Sequence, residues 1–288
     1  MPEDILNKEE APVKRVVLSE EDICTMAPVL KKHPKLLRRL MHIVKLDRVN
    51  AVHDKYFDDP GAPFVANLLK EWDITLDIDG REVLDNLPDG AFITVSNHPF
   101  GALDGIMLIH IFASRREDYK VMVNMILAHI SAMKPNFISV DSMASDDPAK
   151  QAVSRQGIRE VIRRIKEGHP VGFFPAGAIS KVNWRLRLKD RPWQPSVIRL
   201  IEKLKVPVIP VFFHGTNSWF FNFLGVVDWR LRTLRLPSEV FNKDHKTMRI
   251  SIGEPISVEE QIAHSSSIDE LGEFLRQRTY ALRDRKKK

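Results

Sequence analysis

One short stretch, "VSNHPFGALDG" (95–105), carries the sharpest chemical signal in the chain. It ends an apolar run, turns through Pro-Phe-Gly and enters a second apolar run, with His98 before the turn and Asp104 after it. An imidazole near its ordinary pKa of about 6.5 can take a proton from a hydroxyl at neutral pH, and a carboxylate on the other ring nitrogen would fix its tautomer and stabilise the imidazolium. The same spacing also suits a loop histidine beside an aspartate in the first turn of a helix, where the helix dipole favours a carboxylate. Spacing alone leaves both readings open. Other reactive signatures fail on their details. "GFFPAGAISK" (172–181) has the two glycines of a phosphate loop, yet Ala178 stands where that loop needs lysine. There is no G-x-S-x-G elbow and no H-E-x-x-H, and Cys24 is the single cysteine, so no serine-hydrolase elbow, zinc centre or internal disulfide is expected.

The elements that must hold the pair follow from the hydrophobic period. "AFITVSN" (91–97), "YKVMVN" (119–124), "NFISVD" (136–141), "PVGFFPA" (170–176), "PVIPVFF" (207–213) and "MRISIG" (248–253) read as strands. Helical periods fill 103–114, 149–167, 195–204 and 268–284. This alternation predicts an α/β fold, a mostly parallel layered sheet flanked by helices, with its site at strand ends. His98 then lies just past the end of one strand. Upstream, residues 1–18 read as a flexible leader and 19–80 as an N-terminal helical cap opened by a Ser19/Asp22 capping box. "ITLDID" (74–79) alternates like a strand within that cap, and 81–288 reads as the main α/β domain.

At 288 residues and 43% hydrophobic side chains, the chain can fill a sizeable core. Its first residues are acidic and polar, unlike an export signal, and no apolar run approaches the roughly 18 to 20 residues that span a bilayer. A cytoplasmic address is expected, with any membrane contact made peripherally from the inner face. A net charge of +6 suits anionic partners. Nucleic acid is not expected among them, because no nucleic-acid-reading motif accompanies the charge.

Four stretches, "NHPFGALD", "FISVD", "FPAGAIS" and "VPVIPVFFHG", occur in the order of one family. They resemble the four blocks of the glycerolipid and lysophospholipid acyltransferase superfamily: N-H-x4-D, F-I-x-R, F-P-E-G-T-[RS] and an apolar V-P-[IV]-[IV]-P-V strand. The resemblance covers about residues 85 to 255, and the longer pattern is most similar to the bacterial hemolysin-type branch. That branch includes O-acyltransferases making amino-acid-containing lipids such as glycine and ornithine lipids. The resemblance implies that His98 is the general base and Asp104 its orienting partner. An acceptor hydroxyl would attack an acyl thioester of acyl-carrier protein or coenzyme A and release a thiol, with no metal or redox cofactor. Asn97, Gly101, Pro175, Gly177, Ser180 and Lys181 would shape the substrate site, and the 175–180 backbone would face the oxyanion.

The departures bear on the acceptor. This chain has five residues between histidine and aspartate where the family commonly has four, and Gly101 supplies a backbone able to absorb the extra one. Ala176 replaces a glutamate that in relatives helps hold glycerol phosphate, and Asp141 replaces a phosphate-binding arginine. A carboxylate repels the phosphate that a guanidinium would grip. Arg155 and Arg159 remain as anion contacts. The preferred acceptor is therefore a lyso-aminolipid of the glycine or ornithine type. The alternatives are lysophosphatidic acid or another lysophospholipid, or a non-catalytic lipid-binding protein of the same fold.

A last stretch, "NSWFFNFLGVVDWRLRTLRLP" (217–237), joins Trp219, Phe220, Phe221, Phe223 and Trp229 to Arg230, Arg232 and Arg235. Aromatics beside arginines suit an anionic bilayer interface or an acyl-chain contact.

Overall fold

The computed structural model describes residues 15–141, 147–182 and 188–285. Helices α1 (Glu20–Met26), α2 (Pro34–Ile43), α3 (Leu46–Lys55) and α4 (Ala62–Glu71) precede strand β1 (Thr75–Asp79) and helix α5 (Arg81–Asp85). There follow β2 (Ile93–Ser96), α6 (Ala102–Ala113), β3 (Lys120–Asn124), β4 (Phe137–Val140), α7 (Pro148–Lys166) and β5 (Val171–Phe173). A small antiparallel ribbon, β6 (Lys181–Val182) and β7 (Leu188–Lys189), leads to α8 (Pro195–Leu204) and β8 (Val208–Phe213). The chain continues through α9 (Trp219–Val227), α10 (Trp229–Leu234), α11 (Leu236–Phe241), β9 (Thr247–Ile252), α12 (Val258–Ala263) and α13 (Ile268–Ala281).

Seven strands form one sheet in the order β1-β9-β8-β2-β5-β3-β4. Every pair is parallel except β8 with β9, so the fold is α/β with a mostly parallel sheet, as the strand–helix alternation predicts. Its central strands are buried on both faces and read as near-continuous apolar runs. Ile93 and Val95 of β2 join the core built by α7, α8 and α13, while α4 and α6 cover the opposite face. Helix α6 is apolar almost all round because it is almost wholly buried. Pro210 sits in the middle of β8, where proline is normally excluded. Its carbonyl accepts from Gly253 on the β9 side, and regular pairing with β9 begins only at Val211, so the missing N–H sacrifices no ladder bond.

Two features of the N-terminal region stand apart from the sequence reading. Strand β1 lies before residue 80, yet it is an edge strand of the main sheet, paired with β9 far along the chain. Of the leader, residues 1–14 fall outside the described residues, while 15–18 are tied to α3. Arg15 pairs with Asp54 at 3.3 Å and with Asp58, just beyond α3, at 2.8 Å, and the Val17 N–H donates to Asn50 Oδ1 at 2.9 Å. Among the described residues no helix is long and apolar enough to cross a membrane.

Candidate active site

Strands β5, β2 and β8 are adjacent and parallel, so their C-terminal ends open on the same edge of the sheet. The loops leaving them are 174–180, 97–101 and 214–218, which gathers the first, third and fourth sequence blocks at one place. Strand ends of this kind are where open α/β sheets build sites.

His98 stands at the mouth of the middle loop with 17% of its side chain exposed, while Asp104 is fully buried. Its Nδ1 lies 2.8 Å from Asp104 Oδ2, with the ring N–H off the line to the oxygen. The distance is that of an ion-pair contact, and such alignments commonly tighten only when substrate is bound. The same Oδ2 accepts the N–H groups of Phe100 and Gly101, each at 2.9 Å. Asp104 is the third residue of α6 and caps its own helix while facing the imidazole. Asp104 therefore meets the geometry of both readings left open by the spacing, sitting in the first turn of a helix and contacting the imidazole. Gly101 makes this geometry available, since its φ of +84° and ψ of −126° belong to a region essentially closed to other residues. Burial pushes the Asp104 carboxyl up from the usual carboxylate range, against the opposing pull of His98 and the two backbone N–H groups.

Several neighbours fix the imidazole. Phe174 packs on it with ring centroids 4.2 Å apart and planes 31° from parallel. The Ser180 N–H donates to the His98 carbonyl at 2.9 Å, which pins the 174–180 loop to the His98 turn. Ser180 Oγ in turn donates to Asp190, and the Ser180 carbonyl accepts from Arg232 at 3.1 Å. Lys243 is buried, donates to the Thr216 carbonyl at 2.8 Å, and holds its ammonium 5.0 Å from the Phe100 ring. Burial lowers its pKa, with Glu239 and Asp104 acting the other way. Asn217 Nδ2 reaches the Phe100 carbonyl at 3.3 Å. Phe174 falls within the strand read over 170–176, and nothing local marked its contact with His98. Lys243 and Asn217 carried no local signal.

Other expected site residues have different places. Asn97 does not face the cleft. Its amide donates to the Phe213 carbonyl at 2.9 Å and accepts from the Phe213 N–H at 2.7 Å, clasping the ends of β2 and β8. The Gly177 N–H closes a turn onto Phe174, and the Ser180 N–H is used by His98, so neither donor serves an oxyanion. The Pro175 carbonyl accepts from the Gln194 backbone at 2.9 Å, holding the third block against the start of α8. Asp141 ends the edge strand β4, separated from β2 by β5 and β3, which is about 14 Å at ordinary strand spacing. Its backbone exchanges hydrogen bonds with Ser154, and the exposed Arg155 follows on the same helix. These two residues lie away from the dyad. The side chain of Lys181 lies outside the described residues.

The aromatic stretch folds into α9–α11. Trp219, Phe220 and Phe223 are exposed, with Trp219 and Phe223 stacked at 5.4 Å, and Val226 and Val227 extend the patch. Phe221, expected with them at a bilayer or acyl-chain contact, does not reach the surface. It is fully buried beneath Arg232, because the helical period turns it inward. The Trp229 side chain lies outside the described residues.

The chain matches the model of the acyltransferase family over residues 20–287. Two relatives are each named lyso-glycine lipid O-acyltransferase. The protein of Bacteroides thetaiotaomicron is 29% identical over 246 residues, covering 81% of this chain and 85% of its own length. The protein of Phocaeicola vulgatus is 27% identical over 225 residues, covering 75% and 77%. The fold is similar to the crystal structure of the 1-acyl-sn-glycerophosphate acyltransferase PlsC from Thermotoga maritima, with a TM-score of 0.50, 16% identity, and coverage of 87% of this chain and 90% of that one. With its histidine–aspartate contact at the ends of three adjacent strands and a family match over nearly its whole length, this chain belongs to the acyltransferase family.

Proposed function

We propose that the protein moves a fatty acyl group from an acyl thioester to the hydroxyl of a lyso-aminolipid of the glycine or ornithine type. The observation that carries the chemistry is the 2.8 Å contact of His98 Nδ1 with a buried carboxylate. Because Nδ1 faces Asp104, Nε2 is the nitrogen left to meet substrate. The acceptor hydroxyl gives its proton to Nε2 while its oxygen attacks the thioester carbonyl. Collapse of the tetrahedral intermediate breaks the carbon–sulfur bond, and the departing sulfur takes the proton back from Nε2. The products are an ester and a thiol, and His98 is regenerated. Asp104 keeps the tautomer and stabilises the transient imidazolium. The thioester is carried by acyl-carrier protein or coenzyme A.

The acceptor class is supported by the names of the two relatives and by Ala176 and Asp141, which replace the family's phosphate-holding residues. Asp141 also lies on an edge strand away from the dyad. The exposed patch of Trp219, Phe220, Phe223, Val226 and Val227 would dip into the inner face of the cytoplasmic membrane. The test supplies purified protein with a long-chain acyl thioester and, in parallel, a lyso-glycine lipid, a lyso-ornithine lipid and lysophosphatidate, following free thiol and product mass. Faster use of an aminolipid is expected. Equal or faster use of lysophosphatidate overturns the acceptor assignment.

A further inference from the structure

Three cations lie on or beside α10 and α11, and they differ in how they are neutralised. Arg235 has Glu239 at 3.8 Å, and Lys243 feels the same buried carboxylate. Among the described residues Arg232 has no such partner. It is only 6% exposed, its Nη1 donates to the Ser180 carbonyl at 3.1 Å, and its guanidinium lies 5.6 Å from the Phe221 ring. Among the described residues no carboxylate forms an ion pair with it, and the neighbouring charge that bears on it is another cation, Arg191. A guanidinium taken out of water without a counter-ion is strongly unfavourable unless an anion arrives to meet it.

Its position connects it to the chemistry. Ser180 accepts from Arg232 at its carbonyl and donates to the His98 carbonyl from its N–H, so one residue separates the guanidinium from the peptide of the general base. Ile179, the preceding residue, and Leu236 would both crowd a Cβ at Gly101, which places this segment directly against the His98 turn. Helix α10 packs against α9, whose outer face carries Trp219, Phe220 and Phe223. Arg232 packs against the other, inward face of α9, over the Phe221 ring and beside Gly225.

We infer that Arg232 is the receptor for the acceptor's anionic headgroup, a carboxylate of an N-acylated amino acid. The inference rests on the aminolipid reading, since an amino acid acylated on nitrogen keeps a free carboxylate. Nη1 donates to Ser180, and the Nε/Nη2 edge of a guanidinium has the geometry to match a carboxylate with two parallel hydrogen bonds. One guanidinium balances one carboxylate. A phosphate monoester, bearing between one and two negative charges, would call for a second cation, and the family's second-block arginine is replaced here by Asp141.

The test compares a lyso-glycine lipid with its primary amide and with lysophosphatidate, on the wild type, Arg232→Gln and Arg232→Lys, after matching their thermal melting. The wild type is expected to prefer the acid over the amide by about a hundredfold in kcat/KM, since a site built to bond a group rejects the analogue lacking it. In Arg232→Gln that ratio should fall to within about threefold of unity, with Arg232→Lys between, as coupling through a direct contact requires. A wild type indifferent to the amide overturns the assignment whatever the variants do. A preference that survives in Arg232→Gln also overturns it, leaving Arg232 a purely structural clasp on Ser180. A wild type that ignores both acid and amide but acylates lysophosphatidate removes the aminolipid reading itself, and the inference with it.

Discussion

Replacing Asp104 by asparagine separates the two tasks of its side chain. The amide oxygen can still accept from the Phe100 and Gly101 N–H groups, now 2.9 Å from Oδ2, so the turn and the start of α6 should persist. The negative charge 2.8 Å from His98 is lost, which at an effective dielectric of about 20 removes at most about 6 kcal/mol of imidazolium stabilisation. That ceiling corresponds to roughly four powers of ten in rate, and general bases typically contribute about 10²–10⁴-fold, so a fall in kcat of about 10²–10³ is expected. Stability should move the other way. Burial raises the folded-state pKa of Asp104, so its contribution is fully present below the unfolded carboxylate range and is lost as pH rises through the folded value. An uncharged amide escapes that loss. Asp104→Asn should therefore melt at or above the wild-type temperature at pH 8, with the advantage fading toward pH 4. Thiol release from an acyl thioester, measured beside differential scanning calorimetry across pH, reads both effects. A folded variant turning over within threefold of the wild type would refute the dyad, and a variant destabilised at pH 8 but not at pH 4 would refute the electrostatic argument.

Gly101→Ala should lower both stability and turnover, because its backbone angles cost other residues about 1–3 kcal/mol and its new Cβ would lie 2.9 Å from Ile179 Cδ1. Denaturant melts check this, and an unchanged midpoint would mean that the turn is not held as described. Asn97→Ala strands the N–H and carbonyl of Phe213 and should destabilise by about 2–4 kcal/mol, whereas a direct substrate ligand would lose KM without stability. Trp219→Ser combined with Phe223→Ser should weaken sedimentation with anionic vesicles at least about tenfold while sparing turnover of detergent-dispersed acceptor. Undiminished vesicle binding would remove α9 from the membrane contact.

What the sequence made legible was whatever local pattern determines. The α/β alternation, the central apolar strands and the position of His98 at a strand end all follow from hydrophobic period and turn residues. The meaning of Asp104 did not, because capping α6 and facing His98 require the same spacing, and only the backbone of Gly101 lets one oxygen do both. Asn97 looked like a site residue because it adjoins His98. Its partner, Phe213, is close only because β8 lies beside β2. Sheet order likewise put Asp141 on the outer edge, although its block falls between two that reach the site. Helices α9–α11 escaped notice because they are short and anchored by tertiary contacts, such as Ser218 Oγ donating to the buried Glu239 at 2.6 Å. Phe221 could have been distinguished from Phe220 once a helical period was assumed for 219–227.

The central claim is that His98 takes the proton from the acceptor hydroxyl. The most direct measurement is single-turnover acyl transfer to a lyso-glycine lipid by wild type and by His98→Ala, with product mass and thiol followed together and both proteins shown to melt alike. One ester formed per thiol released is expected of the wild type, and a rate lower by about 10²–10⁴-fold of His98→Ala. Ester formation by folded His98→Ala at close to the wild-type rate would contradict that claim.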